Sequence, residues 1–98
     1  MTIDQTKNGN ALVLALEGRL DTITAPQLEA ALKEALPGVE ALTFDLEKLE
    51  YISSAGLRVL LSAQKTMNRQ GTMKVIHANE IILEIFEVTG FSDILTIE

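Results

Sequence analysis

The stretch ALTFDLEKLEYISSAGLRVLLSAQKTMNRQGTMKVIH, residues 41–77, decides the fold class. Ala41 to Leu46 reads as a buried strand with Asp45 as its polar member, and Glu47 to Tyr51 as a loop. Ser53-Ser54-Ala55-Gly56 then opens a helix that runs to about residues 68–70. Leu57, Leu60, Leu61 and Met67 keep the helical period, Val59 and Ala63 widen that face, and Gly71 stops it. Met73 to His77 gives a second strand. A strand, a helix and a strand in succession require a crossover, and crossovers join parallel strands.

The flanks extend the same pattern. Ile3 to Thr6 reads as a short strand, and Lys7-Asn8-Gly9-Asn10 supplies an Asn-Gly turn of the kind that closes hairpins. Ala11 to Glu17 is a further strand, apolar on both faces and so expected at the centre of the sheet, with Gly18 ending it. Thr24 can cap a helix that begins at Ala25-Pro26. Ala25, Leu28, Ala31, Leu32, Ala35 and Leu36 form its stripe, and Pro37-Gly38 stop it. On the other side, Ala78 or Asn79 starts a third helix with Ile81, Ile82, Ile85 and Phe86 as its inward stripe. Gly90 ends that helix, and Ile94 to Ile97 is the last strand. Gln27, Glu29, Lys33 and Glu34 of the first helix, and Arg58, Gln64, Lys65 and Asn68 of the second, are expected in solvent. The order β-β-α-β-α-β-α-β predicts a small single α/β domain over residues 1–98, its mixed, largely parallel sheet flanked by helices.

Composition narrows the function. The chain has 98 residues, 47% of them hydrophobic and 22% charged, which suits one core and excludes disorder. It has no cysteine and one histidine, so disulfides, thiolate nucleophiles and Cys/His metal sites are excluded. The net charge of −6 and the pI near 4.7 oppose contact with nucleic-acid phosphates and anionic lipid. MTIDQTKNGN, residues 1–10, lacks the features of a secretory signal. The longest apolar run, Ala11 to Leu16, is far shorter than a membrane-spanning helix requires, so membrane insertion is not expected and a cytoplasmic location is.

Enzyme motifs fail in turn. A serine-hydrolase elbow around Ser54 has Gly56 in place but Ile52 where the other glycine belongs. No P-loop and no dinucleotide fingerprint occurs. His77 has no acid that the sequence assigns to it. Asp4, Glu17, Asp21, Asp45, Glu47 and Glu50 are scattered and read as solvated surface. The chain is therefore expected not to be an enzyme, and to need no cofactor.

Two segments stand out. YISSAGL, residues 51–57, places two hydroxyls before alanine and glycine at the mouth of an apolar helix. Either serine can serve as the N-cap, but a helix needs only one. The other is free to be modified, and a phosphoryl group there meets open amides and the positive end of the helix dipole. EGRLDTITAP, residues 17–26, carries Asp21 out of a central strand at its C-terminal end. With parallel strands, both loops leave one edge of the sheet, where open α/β sheets keep their sites.

Taken together, EGRLD–TAP, DLEKLEYISSAGLRVLL (residues 45–61), GTMKVIHAN (71–79) and IFEVTGFSDIL (85–95) resemble the STAS domain family. The name joins sulfate transporters and anti-sigma factor antagonists, and the likeness is greatest to the small stand-alone bacterial antagonists. The resemblance implies an antagonist that binds an anti-sigma factor, itself a serine kinase of the histidine-kinase-like ATPase superfamily, and so frees a sigma factor. It further implies that this kinase phosphorylates a serine at the start of the second helix and that a phosphatase reverses the reaction. Alignment on Gly56-Leu57 makes that serine Ser54, with Ser53 the alternative, and puts the family's acidic residue at Asp21. Ser53 stands where many of these antagonists carry aspartate. Partner contact is expected from Asp21, Thr22 and Thr24 on the loop and from Ser53, Ala55, Gly56 and Arg58 at the helix start. The competing reading is a constitutive STAS subunit of a signalling assembly or a lipid-transport complex, in which Ser54 is only a cap.

Overall fold

A computed structural model describes residues 1–98. Strands β1 (Thr2–Asn8), β2 (Ala11–Leu20), β3 (Ala41–Ile52) and β4 (Thr72–Ile76) form one sheet in the order β1-β2-β3-β4. β1 and β2 are an antiparallel hairpin closed by Gly9-Asn10, one residue later than the expected Asn8-Gly9, because Asn8 still pairs with Ala11; Gly9 has a φ of +65°. β2, β3 and β4 run parallel. Helix α1 (Ala25–Ala35) links β2 to β3, and α2 (Ser54–Gln70) links β3 to β4. Both crossovers step in the same direction across the sheet, so right-handed connections put both helices on one face.

The burial pattern records that arrangement. Leu12, Leu14, Leu16, Leu42, Phe44, Leu46, Met73 and Val75 face the helices and are buried. They meet Leu28 and Leu32 of α1 and Leu57, Leu60 and Met67 of α2 in one core of 24 residues. Helix α3 (Glu80–Val88) adds Ile82 and Phe86 to that core. The other face carries Ala11, Val13, Ala15, Thr43 and Asp45, which are only half-buried. β2 is thus central, as expected, but covered on one face alone. Alanine and valine tolerate partial exposure, so apolar character on both faces did not mean two covered faces.

Several boundaries differ from the sequence reading. β2 continues through Gly18 to Leu20, and β3 continues through the expected loop 47–51 to Ile52. Their register shifts between Ala15 and Glu17 and again between Gly18 and Arg19, each time with an extra residue on β3. These bulges space the buried Leu46, Leu49 and Ile52 three apart, which hides the strand from any test of alternation. The expected last strand is a single bridge from Ile97 to Val75, held by Val75 N–H to the Thr96 carbonyl and Glu98 N–H to the Val75 carbonyl. Gln64 is buried, with its Nε2 donating to Asn68 Oδ1 at 2.8 Å, and Ile81 is exposed instead of inward. Gln70 Nε2 donates to the carbonyls of Leu36 and Val39 at 2.7 and 2.6 Å, tying the end of α2 to the end of α1. No helix is long and apolar enough to cross a membrane.

Candidate functional site

β2 and β3 end side by side, where the Ser53 N–H donates to the Leu20 carbonyl at 2.9 Å. The loop beginning at Asp21 and the helix beginning at Ser54 therefore leave the sheet together. The loop is held by its own polar groups. Asp21 Oδ1 accepts from the amides of Ile23 and Thr24 at 3.0 and 3.1 Å. The Thr24 hydroxyl accepts from the Asp21 amide and donates to the Arg19 carbonyl, both at 2.8 Å. Thr24 precedes α1 but makes no side-chain cap. Thr24 is already helical at φ −93° and ψ −19°, and the first amides of α1 go to backbone carbonyls: Ala25 N–H donates to the Asp21 carbonyl at 2.8 Å and Gln27 N–H to the Thr24 carbonyl at 3.0 Å, while the Asp21 carboxylate closes the turn before the helix.

The two serines differ. Ser53 is extended, with φ −97° and ψ 176°, and its Oγ accepts from the Gly56 amide at 3.4 Å. It is the N-cap. Ser54 is the first helical residue, exposed, and its hydroxyl makes no hydrogen bond within the protein. Arg58 is exposed one turn further on. Thr22, Ala55 and Arg58 line a cleft of about 360 Å³ between α1 and α2. Gly56, expected to hold the backbone open to a partner, is instead buried. A side chain there would meet Leu20 and Ile52, so its smallness lets α2 approach the sheet.

Ser53→Ala is expected to cost about 1 kcal/mol, the usual loss for an N-cap. Ser54→Ala is expected to stay within about 0.5 kcal/mol of wild type, as for a surface position without partners. Denaturant titration of the two variants checks the assignment, and a larger loss for Ser54→Ala would reverse it.

A family model described as Mlab, STAS domain, matches residues 3–96. The chain belongs to the STAS domain family. It is 34% identical over 99 residues to a candidate anti-sigma factor antagonist, BtrV, of Bordetella bronchiseptica, covering 99% of this chain and 85% of that one. It is 28% identical over 98 residues to the anti-sigma-B factor antagonist of Bacillus subtilis, covering 99% and 90%. Among solved structures, an anti-sigma factor antagonist from Mycobacterium paratuberculosis superposes with a TM-score of 0.89 at 23% identity, covering 98% and 83%. The Bacillus cell fate determinant SpoIIAA in its phosphorylated form superposes with a TM-score of 0.77 at 17% identity, covering 99% and 91%. At these identities the two structures establish the STAS fold.

Around the serines of this STAS chain the sheet edge is mixed in charge. The Thr24 amide holds the Asp21 carboxyl below the usual carboxylate range; partial burial opposes this, and the Ile23 amide, the Thr24 hydroxyl and the Arg19 charge assist. Asp21 is therefore ionised at neutral pH. Arg19 lies over the Tyr51 ring, 4.7 Å from its centroid, with its Nε 3.8 Å from Asp21 Oδ2. Sequence reasoning misses Arg19, Tyr51 and Ile23 as parts of this edge. The isoleucine is 86% exposed between Thr22 and Thr24, and an isoleucine in a polar turn is the signal available for it.

A second polar cluster lies on the open face of the STAS sheet. His77 Nδ1 sits 2.9 Å from Asp45 Oδ1 and 3.8 Å from Glu47 Oε1, so the histidine has the acid that sequence inspection could not assign. The contact with Asp45 raises the His77 pKa above 6.5, against a smaller effect of desolvation, and the charges of Asp45 and Glu47 add to the rise. For Asp45, desolvation is outweighed by His77, the Glu47 amide and Lys48, so its pKa falls below 3.8. The stability from His77 is complete below pH 6.5 and is lost as pH rises through its raised value. That from Asp45 is present above pH 3.8 and is lost as pH falls through its lowered value. The His77 ring resonances are expected to titrate above 6.5, and Asp45→Asn to bring the midpoint back toward 6.5. An unmoved midpoint would mean that the contact does not form in solution.

Proposed function

We propose that this chain is an anti-sigma factor antagonist whose docking on an anti-sigma factor kinase is switched by phosphorylation of Ser54. The observation that carries the reading is the division of labour between the serines. Ser53 caps the helix, which leaves the Ser54 hydroxyl exposed and unbonded. A kinase can take that hydroxyl without unfolding the helix. Asp21, Thr22, Ala55 and Arg58 surround the same edge and are assigned to the docking surface, with Gly56 supporting it from below. The names of the relatives support the antagonist role, which is regulatory and requires no catalysis by this chain. SpoIIAA, a protein with this fold, has a phosphorylated form, which supports a switch of the same kind here.

Phosphate adds about −1.5 to −2 charges, and at Ser54 it would stand on the sheet edge that also carries the ionised Asp21. A phosphatase that removes it would restore docking. The test is incubation with the cognate anti-sigma kinase and ATP, followed by peptide mass spectrometry. A single phosphate on Ser54, absent from Ser54→Ala, is the expected result. Phosphate on Ser53 would move the acceptor. Stable binding with no phosphate on either serine would favour a constitutive STAS subunit instead.

A further inference from the structure

We propose that α3 carries a second protein-docking face, which accepts a basic amphipathic helix from a partner. The proposal rests on α3 and does not depend on the assignment of Ser54. Three rows run along this helix at successive positions. Ile82 and Phe86 form the buried row. Ile81, Ile85 and Val88, spaced four and three apart, form a ledge beside it. Ile81 is 58% and Val88 75% exposed, while Ile85 packs partly on the core. Glu80, Glu84 and Glu87 repeat the same spacing one position earlier and line the outer side of the ledge. None of these glutamates is paired with a cation.

Charge decides the occupant. Residues 78–98 contain Glu80, Glu84, Glu87, Asp93 and Glu98 but no lysine or arginine. An apolar ledge with an acidic border on one side complements a helix whose own apolar stripe is bordered by lysine or arginine. A second copy of α3 would bring the same acidic row and the same lack of cations, on a chain of net charge −6. An anionic membrane surface would be repelled by the glutamates. A cationic protein segment is the occupant that satisfies both the ledge and its border.

The test titrates the ¹⁵N-labelled chain with a synthetic amphipathic helix of leucine and lysine, and with a matched peptide carrying glutamate in place of lysine. The expected result is a set of amide shifts confined to residues 80–95 for the lysine peptide and none for the glutamate peptide. Ile81→Lys with Val88→Lys is expected to weaken binding at least about tenfold, as is Glu84→Lys with Glu87→Lys, which tests the border separately. All four side chains are exposed, or border the ledge on the solvent side, so the melting temperature should be kept. Shifts elsewhere on the chain, no shifts, or equal binding of both peptides would overturn the proposal. So would binding to phosphatidylcholine–phosphatidylserine vesicles, or dimerisation of the free chain through the ledge.

Discussion

Ser54→Asp is expected to weaken docking on the anti-sigma partner by roughly thirtyfold to several-thousandfold, while Ser54→Ala keeps wild-type affinity and no longer responds to the kinase. The Ser54 hydroxyl is exposed in the free chain and would be desolvated in the complex. A carboxylate there brings a charge into that interface on the sheet edge that also carries Asp21, whose own carboxyl is held ionised by the Thr24 amide. The helix dipole favours the new charge by only about 0.3–1 kcal/mol. Burying an unpaired charge in an interface costs about 2–5 kcal/mol, so the penalty wins. The fold itself should be unaffected, because Ser53 retains the cap. Calorimetric titration of the wild-type, Ala and Asp chains against the kinase decides the matter. Equal affinities for all three would sink the switch while leaving the docking surface open to test by Arg58→Glu.

Gly71→Ala is expected to be more damaging than any other single methyl addition at a glycine of this fold, lowering stability by about 3 kcal/mol. For a chain of this size that is a fall in melting temperature of at least about 10 °C. The cause is not backbone strain, since Gly71 has a φ of 172°, which any residue adopts. A Cβ at this position would overlap the Glu40 carbonyl, and the neighbouring Thr72 amide donates to that same carbonyl at 2.9 Å. The first residue of β4 is thereby aligned beside β3, so the clash falls on backbone that cannot yield without loosening the sheet. At Gly56 the overlap is smaller: the nearest atoms are Leu20 Cγ and Ile52 Cγ1, on two buried side chains, at 2.7 and 2.8 Å, with the Leu20 carbonyl at 3.0 Å. Gly56→Ala should therefore cost less, about 1–2 kcal/mol. Thermal melts of the two variants give the comparison, and a Gly71→Ala chain that melts with wild type would refute the close approach at Glu40.

The sequence determined whatever depends on near neighbours. α1 and α2 follow from apolar positions that recur within a few residues and from the stops at Pro37-Gly38 and Gly71, because helical hydrogen bonds and side-chain stripes are local. The hairpin turn, the parallel crossovers and the meeting of two loops at one sheet edge follow from the order of those elements. Other features depend on pairing between distant strands, and only the tertiary structure decided them. The second half of β3 was illegible because bulges against β2 replace alternation with a spacing of three, and a bulge exists only relative to its partner strand. His77 and Asp45 lie 32 positions apart and meet because Asp45 pairs with Ile76 in the β3–β4 register. The choice between Ser53 and Ser54 belongs to the same class. Both residues have the chemistry of a cap, but the tie from the Ser53 amide to Leu20 on β2 fixes where the strand ends and the helix begins. The cap falls on the residue left extended at that junction, and the next hydroxyl is turned out to solvent.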